Sequence, residues 1–356
     1  MSKVLMKGNE AIAEAAIRAG CRYFFGYPIT PQNEIPAYMA KRMPEVGGCF
    51  IQAESEVSAI NMVYGAAGAG ARVMTSSSSP GISLKQEGIS YIAGAELPCV
   101  IVNMVRGGPG LGGIQPAQSD YFQATKGGGH GDYRLVVLGP STIQEAVDLV
   151  IEGFDIADQY RNPVMILGDG ILGQMMEPVE FNTSSRRELP PKTWATTGNT
   201  GQRPRNIINS LFIDPQELED HVNRIYQKYE RIKENEVRVE CYNCDNADII
   251  VAAYGTTSRI VKSVIQKAKQ QGINAGLIRP ITLWPFPTST FEQWAERQHV
   301  KAFLTVEMST GQMVEDVRLS VNGKKPVYFY GRTGGMVPEP GAVLEEIKKI
   351  MRSVMK

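Results

Sequence analysis

The sequence predicts an α/β protein with two doubly wound parallel-sheet domains. Short apolar runs alternate with helical stretches through most of the chain, as a layered α/β fold requires. With 356 residues, the chain is also long enough for two domains that each bury a core. A polar segment rich in proline and glycine, between residues 182 and 209, interrupts this pattern and separates the two halves.

The alternation of apolar runs and helical stretches is clearer in the first half of the chain. Its apolar runs are interpreted as strands of a buried parallel sheet, at 22–25, 49–52, 72–76, 99–105 and 164–167. Helices are predicted between them, at 8–19, 33–43, 56–69, 86–95 and 142–158. Gly20 suits the position just after the first helix, and Thr142 with Glu145 has capping-box spacing at the start of the last.

Residues 182–245 are interpreted as a linker followed by a bridging helix. Asp214, Pro215 and Glu217 supply an N-cap, an N1 proline and an N3 acid, which predict a charged helix up to about residue 234. The second α/β unit has predicted strands at 249–253, 275–278, 303–306 and 327–330, and predicted helices at 258–271, 311–320 and 342–355. The two domains are therefore assigned to residues 1–181 and 246–356.

The charge balance excludes some classes of function. Lysine plus arginine and aspartate plus glutamate both total 37, so the zero net charge gives no electrostatic basis for binding nucleic acid or an acidic membrane. Charged residues interrupt the N-terminus before an apolar core of signal-peptide length can form, and no segment resembles a transmembrane span. The sequence therefore predicts a cytoplasmic protein.

The five cysteines are odd in number and mostly scattered, which does not suit a disulfide framework. Cys241 and Cys244 form a single C-x-x-C motif, the spacing of some metal and redox sites. A zinc or iron–sulfur site needs two further ligands at suitable spacing, and the sequence has no second pair. We therefore interpret this motif as structural and predict no metal there.

Two glycine motifs imitate cofactor sites. Residues 108–113 (GPGLGG) satisfy G-x-G-x-x-G, but the next residues contain Pro116 and no helical period, so no helix N-terminus can receive a pyrophosphate. This segment is interpreted as a mobile ligand-binding loop entered from Arg106. Residues 168–170 (GDG) imitate a magnesium motif, yet the asparagine that would complete the oxygen shell lies in the polar linker. We expect no metal at this position.

A carboxylate at the start of a small-residue helix is the most informative candidate. Glu56 lies among apolar residues, where burial is costly unless a partner hydrogen-bonds to it, although a lone glutamate can also be a solvated first-turn residue. Loops at 27–31 (YPITP), 76–81 (SSSSPG) and 106–109 (RGGP) follow other strands of the same predicted sheet. Open α/β sheets bind ligands at the carboxyl ends of their strands, so we group these four features as one site.

These motifs resemble the alpha-type subunit of the 2-oxoacid:ferredoxin oxidoreductases, and the resemblance runs over most of the chain. Further matching segments are KGNEA at 7–11, GGHGD at 128–132, RPITLWPFP at 279–287 and VEM-x-x-GQM at 306–313. The resemblance implies a pyrimidine-binding domain for thiamine diphosphate in the first half. It implies a transketolase-C-terminal-like domain in the second half.

The resemblance also implies roles for individual residues. In the family, the glutamate at the helix start hydrogen-bonds N1′ of the thiamine diphosphate aminopyrimidine, and the register assigns this role to Glu56 rather than Glu54. Thr30 and Arg106 are implied to face the 2-oxo acid, which suits a hydroxyl donor and a guanidinium fork. Pro28 is implied to line the cofactor pocket.

By the same resemblance, the complete enzyme is divided among several polypeptides. It would decarboxylate a 2-oxo acid on thiamine diphosphate, pass electrons to ferredoxin and release an acyl-CoA formed from coenzyme A. A beta subunit would hold the diphosphate and its Mg²⁺, and a partner would carry the iron–sulfur clusters. Ferredoxin-like and gamma subunits would complete the assembly.

The serine-rich turn at 77–81 looks most like the branched-chain, 3-methyl-2-oxobutanoate type of the family, with 2-oxoglutarate as the next substrate. A non-catalytic assembly or gating subunit is the alternative, but it would not need Glu56, Thr30 and Arg106 together. His130 lies in a glycine turn and remains open between a functional and a structural role.

Overall fold

The computed structural model of the protein describes residues 3–182, 187–199 and 201–354. Its strands are β1 (Val4–Lys7), β2 (Tyr23–Gly26), β3 (Cys49–Gln52), β4 (Val73–Ser77), β5 (Cys99–Val105), β6 (Val136–Leu138), β7 (Pro163–Asp169), β8 (Met176–Val179), β9 (Val239–Tyr242), β10 (Ile249–Ala252), β11 (Ala275–Pro280), β12 (Thr282–Trp284), β13 (Ala302–Glu307) and β14 (Val327–Gly331). Its helices are α1 (Gly8–Arg18), α2 (Glu34–Glu45), α3 (Glu56–Gly68), α4 (Ser79–Gly94), α5 (Tyr121–Thr125), α6 (Ile143–Tyr160), α7 (Gly170–Gln174), α8 (Pro215–Asn235), α9 (Gly255–Gln270), α10 (Thr288–Glu296), α11 (Met313–Val321) and α12 (Pro340–Val354).

The larger sheet has the strand order β12-β6-β7-β5-β4-β2-β3. All of its strands are parallel except β12, which pairs antiparallel with β6 at the edge. Helices α1, α2 and α6 cover one face, and α3 and α4 cover the other. Because both faces are covered, the central strands β5 and β7 are buried along their whole length and are predominantly apolar.

The second sheet has the order β14-β13-β10-β11-β9, with β9 as its antiparallel edge. Helices α9 and α12 pack on its outer face. The opposite face, with α10 and α11, shares one continuous core with α3 and α4 of the first domain. The prediction of an α/β fold with mainly parallel sheets is confirmed.

Polar contacts also join the two domains. Gln118 accepts a hydrogen bond from Met308 N at 3.0 Å and donates to Tyr254 O at 3.0 Å. The Gln118 side chain therefore lies at the carboxyl ends of the strands of the second sheet. The Arg279 guanidinium donates two hydrogen bonds, of 2.8 and 2.9 Å, to the carboxylate of Glu145 in α6. The second sheet therefore uses its carboxyl edge as a domain contact.

The predicted capping residues act as expected. Thr142 accepts from Glu145 N at 3.1 Å, and Asp214 accepts from Gln216 N and Glu217 N at 2.9 and 3.1 Å. Gly20 follows α1 with φ +87°. Residues 3–182, 187–199 and 201–354 contain no helix that is both long enough and apolar enough to cross a bilayer.

The prediction for α4 was wrong at its start. This helix begins at Ser79 rather than at residue 86, since proline and glycine at 80 and 81 form its first turn. Proline is tolerated there because the first N–H groups of a helix have no intrahelical acceptor. Several short elements were also missed: β1, β6, β8, β9, β12, α5, α7 and α10. Residue 355, the last of the predicted final helix, lies outside the described residues.

Candidate active site

The site loops meet at a switch point in the strand order. From β2 the chain crosses to β3 on one side and then returns to β4 on the other side of β2. The loops after β2 and β4 therefore diverge, and they leave a crevice at the carboxyl ends of the strands. The loop after β5, which begins at Arg106, borders the same crevice. Three of the predicted loops are thus brought together.

The turn at 27–31 is held in place from several directions. Asn9 Nδ2 donates to Pro31 O at 2.8 Å, so the 7–11 motif anchors this turn at the start of α1. Gln32 donates to Tyr27 O at 3.2 Å and accepts a hydrogen bond from Ser76 on β4. Thr30 and Pro28 are left exposed on the outside of the turn. They can therefore be reached by a ligand or by a partner chain.

Glu56 is the first residue of α3 and is 6% exposed, whereas Glu54 is exposed. Ser55 caps the helix by accepting from Ser58 N at 3.1 Å, so the Glu56 carboxylate is not used as the cap. No residue in the described part of the chain donates a hydrogen bond to that carboxylate. Its oxygens are not among the fully buried polar atoms, so they remain accessible to a ligand with an N–H donor.

The N-terminus of α4 lies directly against Glu56. A Cβ at residue 81 would be 2.6 Å from Glu56 Oε1 and closer still to Ser77 Oγ, so only glycine fits. The hydroxyls of Ser77 and Ser78 are buried and have no partner among the described residues. Together with Glu56, they provide unsatisfied polar atoms on the wall of one crevice. Such a wall fits a polar ring ligand such as an aminopyrimidine.

Arg106 joins these elements. Its backbone N donates to Ser79 Oγ at 3.1 Å, and its guanidinium donates to Thr30 O at 3.0 Å and to Leu111 O at 3.1 Å. Its Nε is buried and has no partner among the residues that the structure describes. The structure therefore brings Arg106 and Thr30 together through the side chain of one and the backbone of the other. Within the described residues, the Thr30 hydroxyl itself takes part in a single long hydrogen bond of 3.4 Å, which it accepts from Asn33.

A cavity of about 630 Å³ opens beside Ser79 and the glycine loop, between the two domains. Among the described residues that line it, Asp120 alone is charged; the others carry hydroxyls or amides, or are apolar, Met308 being the largest of these. Burial raises the pKa of the Asp120 carboxyl, against hydrogen bonds from Ser79 and from Asn103, the latter at 2.9 Å. The sequence analysis missed this residue, because a lone aspartate in a loop has no distinctive pattern.

Lys85 was missed as well, although the sequence did contain a signal. It lies on the buried face of α4 with Ile82 and Ile89, where a lysine interrupts an apolar period. Its side chain is completely buried and donates to Thr75 Oγ1 at 2.9 Å. Lys85 is thus a buried cation on the helix that contacts Glu56.

Both glycine motifs make hydrogen bonds within the chain. The loop after Arg106 closes on itself, with Gly113 N donating to Gly107 O at 2.9 Å, and leads into no helix before α5. Asp169 Oδ1 caps α7 by accepting from Ile171 N at 2.8 Å, and its Oδ2 accepts from Thr256. Both carboxylate oxygens therefore have partners within the chain. The expectation that no Mg²⁺ binds here remains a prediction.

The remaining candidates lie away from the crevice. The ring of His130 packs edge-on against Tyr91, well along α4 from Gly81. Cys244 is buried and donates to Leu277 O at 3.2 Å, while Cys241 is exposed at the end of β9. In the described ranges, no three histidine, cysteine or acidic residues are grouped as a metal site.

Known proteins provide independent comparisons. A family described as pyruvate flavodoxin/ferredoxin oxidoreductase, thiamine diP-bdg, matches residues 14–241, and pyruvate:ferredoxin oxidoreductase core domain II matches residues 247–343. The chain is 51% identical to ketoisovalerate oxidoreductase subunit VorB of Methanothermobacter thermautotrophicus, over 98% of both chains. It is 37% identical to 2-oxoglutarate synthase subunit KorA of the same organism, again over 98% of both.

Among solved structures, the chain matches a 2-oxoglutarate:ferredoxin oxidoreductase from Magnetococcus marinus, with a TM-score of 0.87 and 26% identity. The match covers 98% of this chain and 65% of that one, so this chain spans about two thirds of its length. Fold, crevice and matching domains define an oxidoreductase subunit with a thiamine-diphosphate-binding domain. The chain belongs to the thiamine-diphosphate-dependent 2-oxoacid:ferredoxin oxidoreductase family. The resemblance that the sequence suggested is confirmed.

Proposed function

We propose that this chain is the alpha-type subunit of an enzyme that oxidatively decarboxylates a branched-chain 2-oxo acid to an acyl-CoA and passes the electrons to ferredoxin. The observation that carries the proposal is the buried Glu56 carboxylate, left without a hydrogen bond from the described residues at the switch point of the first sheet. A subunit that served only assembly or gating would have no need for an acceptor left open to a ligand in this way.

Glu56 is assigned to hydrogen-bond N1′ of the cofactor's aminopyrimidine and to hold a proton there. Thiamine diphosphate, when bound, supplies the carbanion that attacks the 2-oxo group. Pro28 lines the pocket at the exposed turn, and the free hydroxyls of Ser77 and Ser78 are available to the ring. The α4 N-terminus covers one side of Glu56, because Gly81 lies in direct contact with the carboxylate.

Arg106 and Thr30 are assigned to the 2-oxo acid. The guanidinium has an unsatisfied Nε and two N–H groups that hold only backbone carbonyls, so a substrate carboxylate can replace Leu111 O or Thr30 O as acceptor. The Thr30 hydroxyl is exposed beside it and can donate to the substrate carbonyl. Binding and orientation of the substrate are thus the work of these two side chains.

We infer that the enzyme is divided among several subunits, because the residues at 168–170 of this chain are not free to hold the metal. Asp169 has both oxygens engaged, so we assign the Mg²⁺ and the diphosphate to a beta subunit. We assign the iron–sulfur clusters to a ferredoxin-like partner and propose a gamma subunit, with coenzyme A as co-substrate. Residues 1–181 are assigned to the pyrimidine domain, 182–245 to linker and bridging helix, and 246–356 to the transketolase-C-terminal-like domain.

The preferred substrate is 3-methyl-2-oxobutanoate. The serine-rich turn at 77–81 and the 51% identity to a ketoisovalerate oxidoreductase subunit support this choice. The second candidate is 2-oxoglutarate, which the 37% identity to a 2-oxoglutarate synthase subunit favours. Reconstitution with the proposed beta, gamma and ferredoxin-like subunits, followed by kcat/KM for both acids with ferredoxin as acceptor, tests the choice. Absence of turnover with either acid would contradict the proposed function.

The isolated chain is predicted to bind thiamine diphosphate and Mg²⁺ weakly or not at all, because it supplies the pyrimidine wall while both oxygens of Asp169 are engaged within the chain. Isothermal titration of the isolated chain measures this, with the reconstituted complex as the positive control. Tight binding that disappears in Asp169→Asn would make residues 168–170 a metal site after all. The domain assignment would then be wrong.

Arg106→Lys is expected to lower kcat/KM for the 2-oxo acid about tenfold to hundredfold, although the charge is kept. An ammonium cannot make the two parallel hydrogen bonds of a guanidinium, and a charge-assisted bond is worth about 1.5–3 kcal/mol. The affinity for thiamine diphosphate should change little. Arg205→Lys, at an exposed arginine, is the control. An unchanged kcat/KM for Arg106→Lys would remove this residue from the substrate site.

A further inference from the structure

The short helix α7 lies directly behind the turn at 27–31. At the first residue of this helix, a Cβ on Gly170 would be 3.4 Å from Cγ of the Pro31 ring. At its last residue, Gln174 Nε2 donates to Pro31 O at 3.2 Å and to both carboxylate oxygens of Glu34 at 2.9 Å. Both ends of α7 therefore contact the last residue of the turn.

The same helix also borders the segment that follows Arg106. Pro116 pairs with Arg106 in an isolated antiparallel bridge, and its Cα is 3.8 Å from the Cβ position of Gly170. The Arg106 guanidinium in turn donates to Thr30 O at 3.0 Å. The start of α7 thus contacts both backbone segments that carry the residues assigned to the substrate, and it can fix the distance between them.

Asp169 fixes the position of α7 and is buried at the end of β7. Its Oδ1 accepts from Ile171 N at 2.8 Å and from Leu172 N at 3.2 Å, and its Oδ2 accepts from the Thr256 hydroxyl. Thr256 lies at the start of α9, in the second domain. An asparagine could cap α7 with its single acceptor oxygen, so the cap alone does not require a carboxylate. The carboxylate links the second domain to the helix behind the turn.

We propose that α7 is a positioning element for the substrate-binding pair, Arg106 and Thr30. Gln174 and Asp169 are its positioning residues: Gln174 acts through Pro31 O, and Asp169 acts by joining the helix to the second domain. The inference rests on the roles proposed for Arg106 and Thr30 and extends them to residues that make no contact with the substrate. It also gives the second glycine motif a role that requires no metal ion.

Substrate binding should depend on this support, because a guanidinium fork binds a carboxylate well only in a narrow range of orientations. Among the described residues, Arg106 has no acidic partner, and the carbonyls of Thr30 and Leu111 orient its guanidinium. Movement of the turn would therefore move the guanidinium and weaken its bonds to the substrate. Glu56 lies on another element, so the effect should fall on KM for the 2-oxo acid more than on kcat.

Gln174→Leu in the reconstituted complex tests the inference. Gln174 is exposed, so the variant should fold normally while it loses the hydrogen bonds to Pro31 and Glu34. KM for the 2-oxo acid should rise about fivefold, as expected for the loss of one net hydrogen bond, with kcat and thermal unfolding unchanged. Gln270→Leu, at the exposed last residue of α9, is the matched control and should keep the wild-type KM. A wild-type KM in Gln174→Leu overturns the inference.

Thr256→Val and Thr256→Ser test the link to the second domain. Valine keeps the shape but leaves Asp169 Oδ2 without its donor, so KM should rise about tenfold. Serine keeps the hydroxyl and should restore a KM close to that of wild type. A lower thermal stability of Thr256→Val with an unchanged KM would mean that this bond serves the fold alone, which would contradict the inference.

A double-mutant cycle separates this inference from the proposed role of Arg106. If Gln174 acts through Arg106, Gln174→Leu should change kcat/KM less than about twofold when Arg106→Lys is already present. Fully additive losses would mean that Gln174 acts elsewhere, so the inference would be wrong while the role of Arg106 stands. If Arg106→Lys alone has the wild-type kcat/KM, the proposed substrate site is wrong and the inference fails with it.

Discussion

Glu56→Gln is expected to lower kcat of the reconstituted enzyme by about 10²-fold or more, with a smaller effect on KM. The amide keeps the shape and a hydrogen-bonding group but loses the acid, so the deficit falls on the reactive form rather than on binding. Hydrogen–deuterium exchange at C2 of bound thiamine diphosphate measures the step directly, and it should slow sharply.

Glu54→Gln is the matched control, because Glu54 is exposed two residues before Glu56 on the same segment. It should exchange C2 hydrogen at the wild-type rate. If the two variants behave in the opposite order, the register of the site is displaced by two residues. If neither variant slows exchange, the catalytic interpretation of this chain fails.

Gly81→Ala should be nearly as damaging, with a loss of about 10²-fold in kcat. The added methyl group would be 2.6 Å from Glu56 Oε1 and would also collide with Ser77 Oγ, so the carboxylate must move. A displacement of about 1 Å at a catalytic group is enough for such a loss. Steady-state kinetics of the complex, together with thermal unfolding of the chain, distinguish a displaced carboxylate from a misfolded chain.

Gly341→Ala serves as the control for adding a methyl group to a helix. Gly341 lies in α12, where a Cβ meets no atom within 4 Å, so activity should be unchanged. Wild-type kcat in Gly81→Ala would mean that α4 can retreat from Glu56 without cost. The close contact would then have no role in the site.

Most long elements of the fold could be predicted from the apolar pattern, since buried strands such as β5 leave an uninterrupted apolar run. The short elements could not. The β6 strand is three residues long, and β12 is held by pairing with β6, which lies far away in sequence. The start of α4 was missed because proline and glycine signal a turn as readily as they signal a first helical turn.

Part of the site could also be predicted from the sequence. Glu56 was singled out because a carboxylate at an apolar helix start is unusual, and the structure buries it next to α4. The positions of Gly81 and Lys85 relative to Glu56 depend on the packing of α4 against α3, and this packing cannot be predicted from the local sequence. Asp120 likewise gains significance only when the second domain closes the cavity beside it.

The antiparallel strand β12 has a consequence for how the chain folds during synthesis. β6 is complete at Leu138, but β12, which pairs with its outer side, is not made until residues 282–284. The first sheet therefore keeps an open, unpaired edge while the whole interval between them is translated. Open strand edges are sites of wrong pairing and aggregation. Expression of the first domain alone would make that temporary edge permanent, so the two domains are best treated as one folding unit.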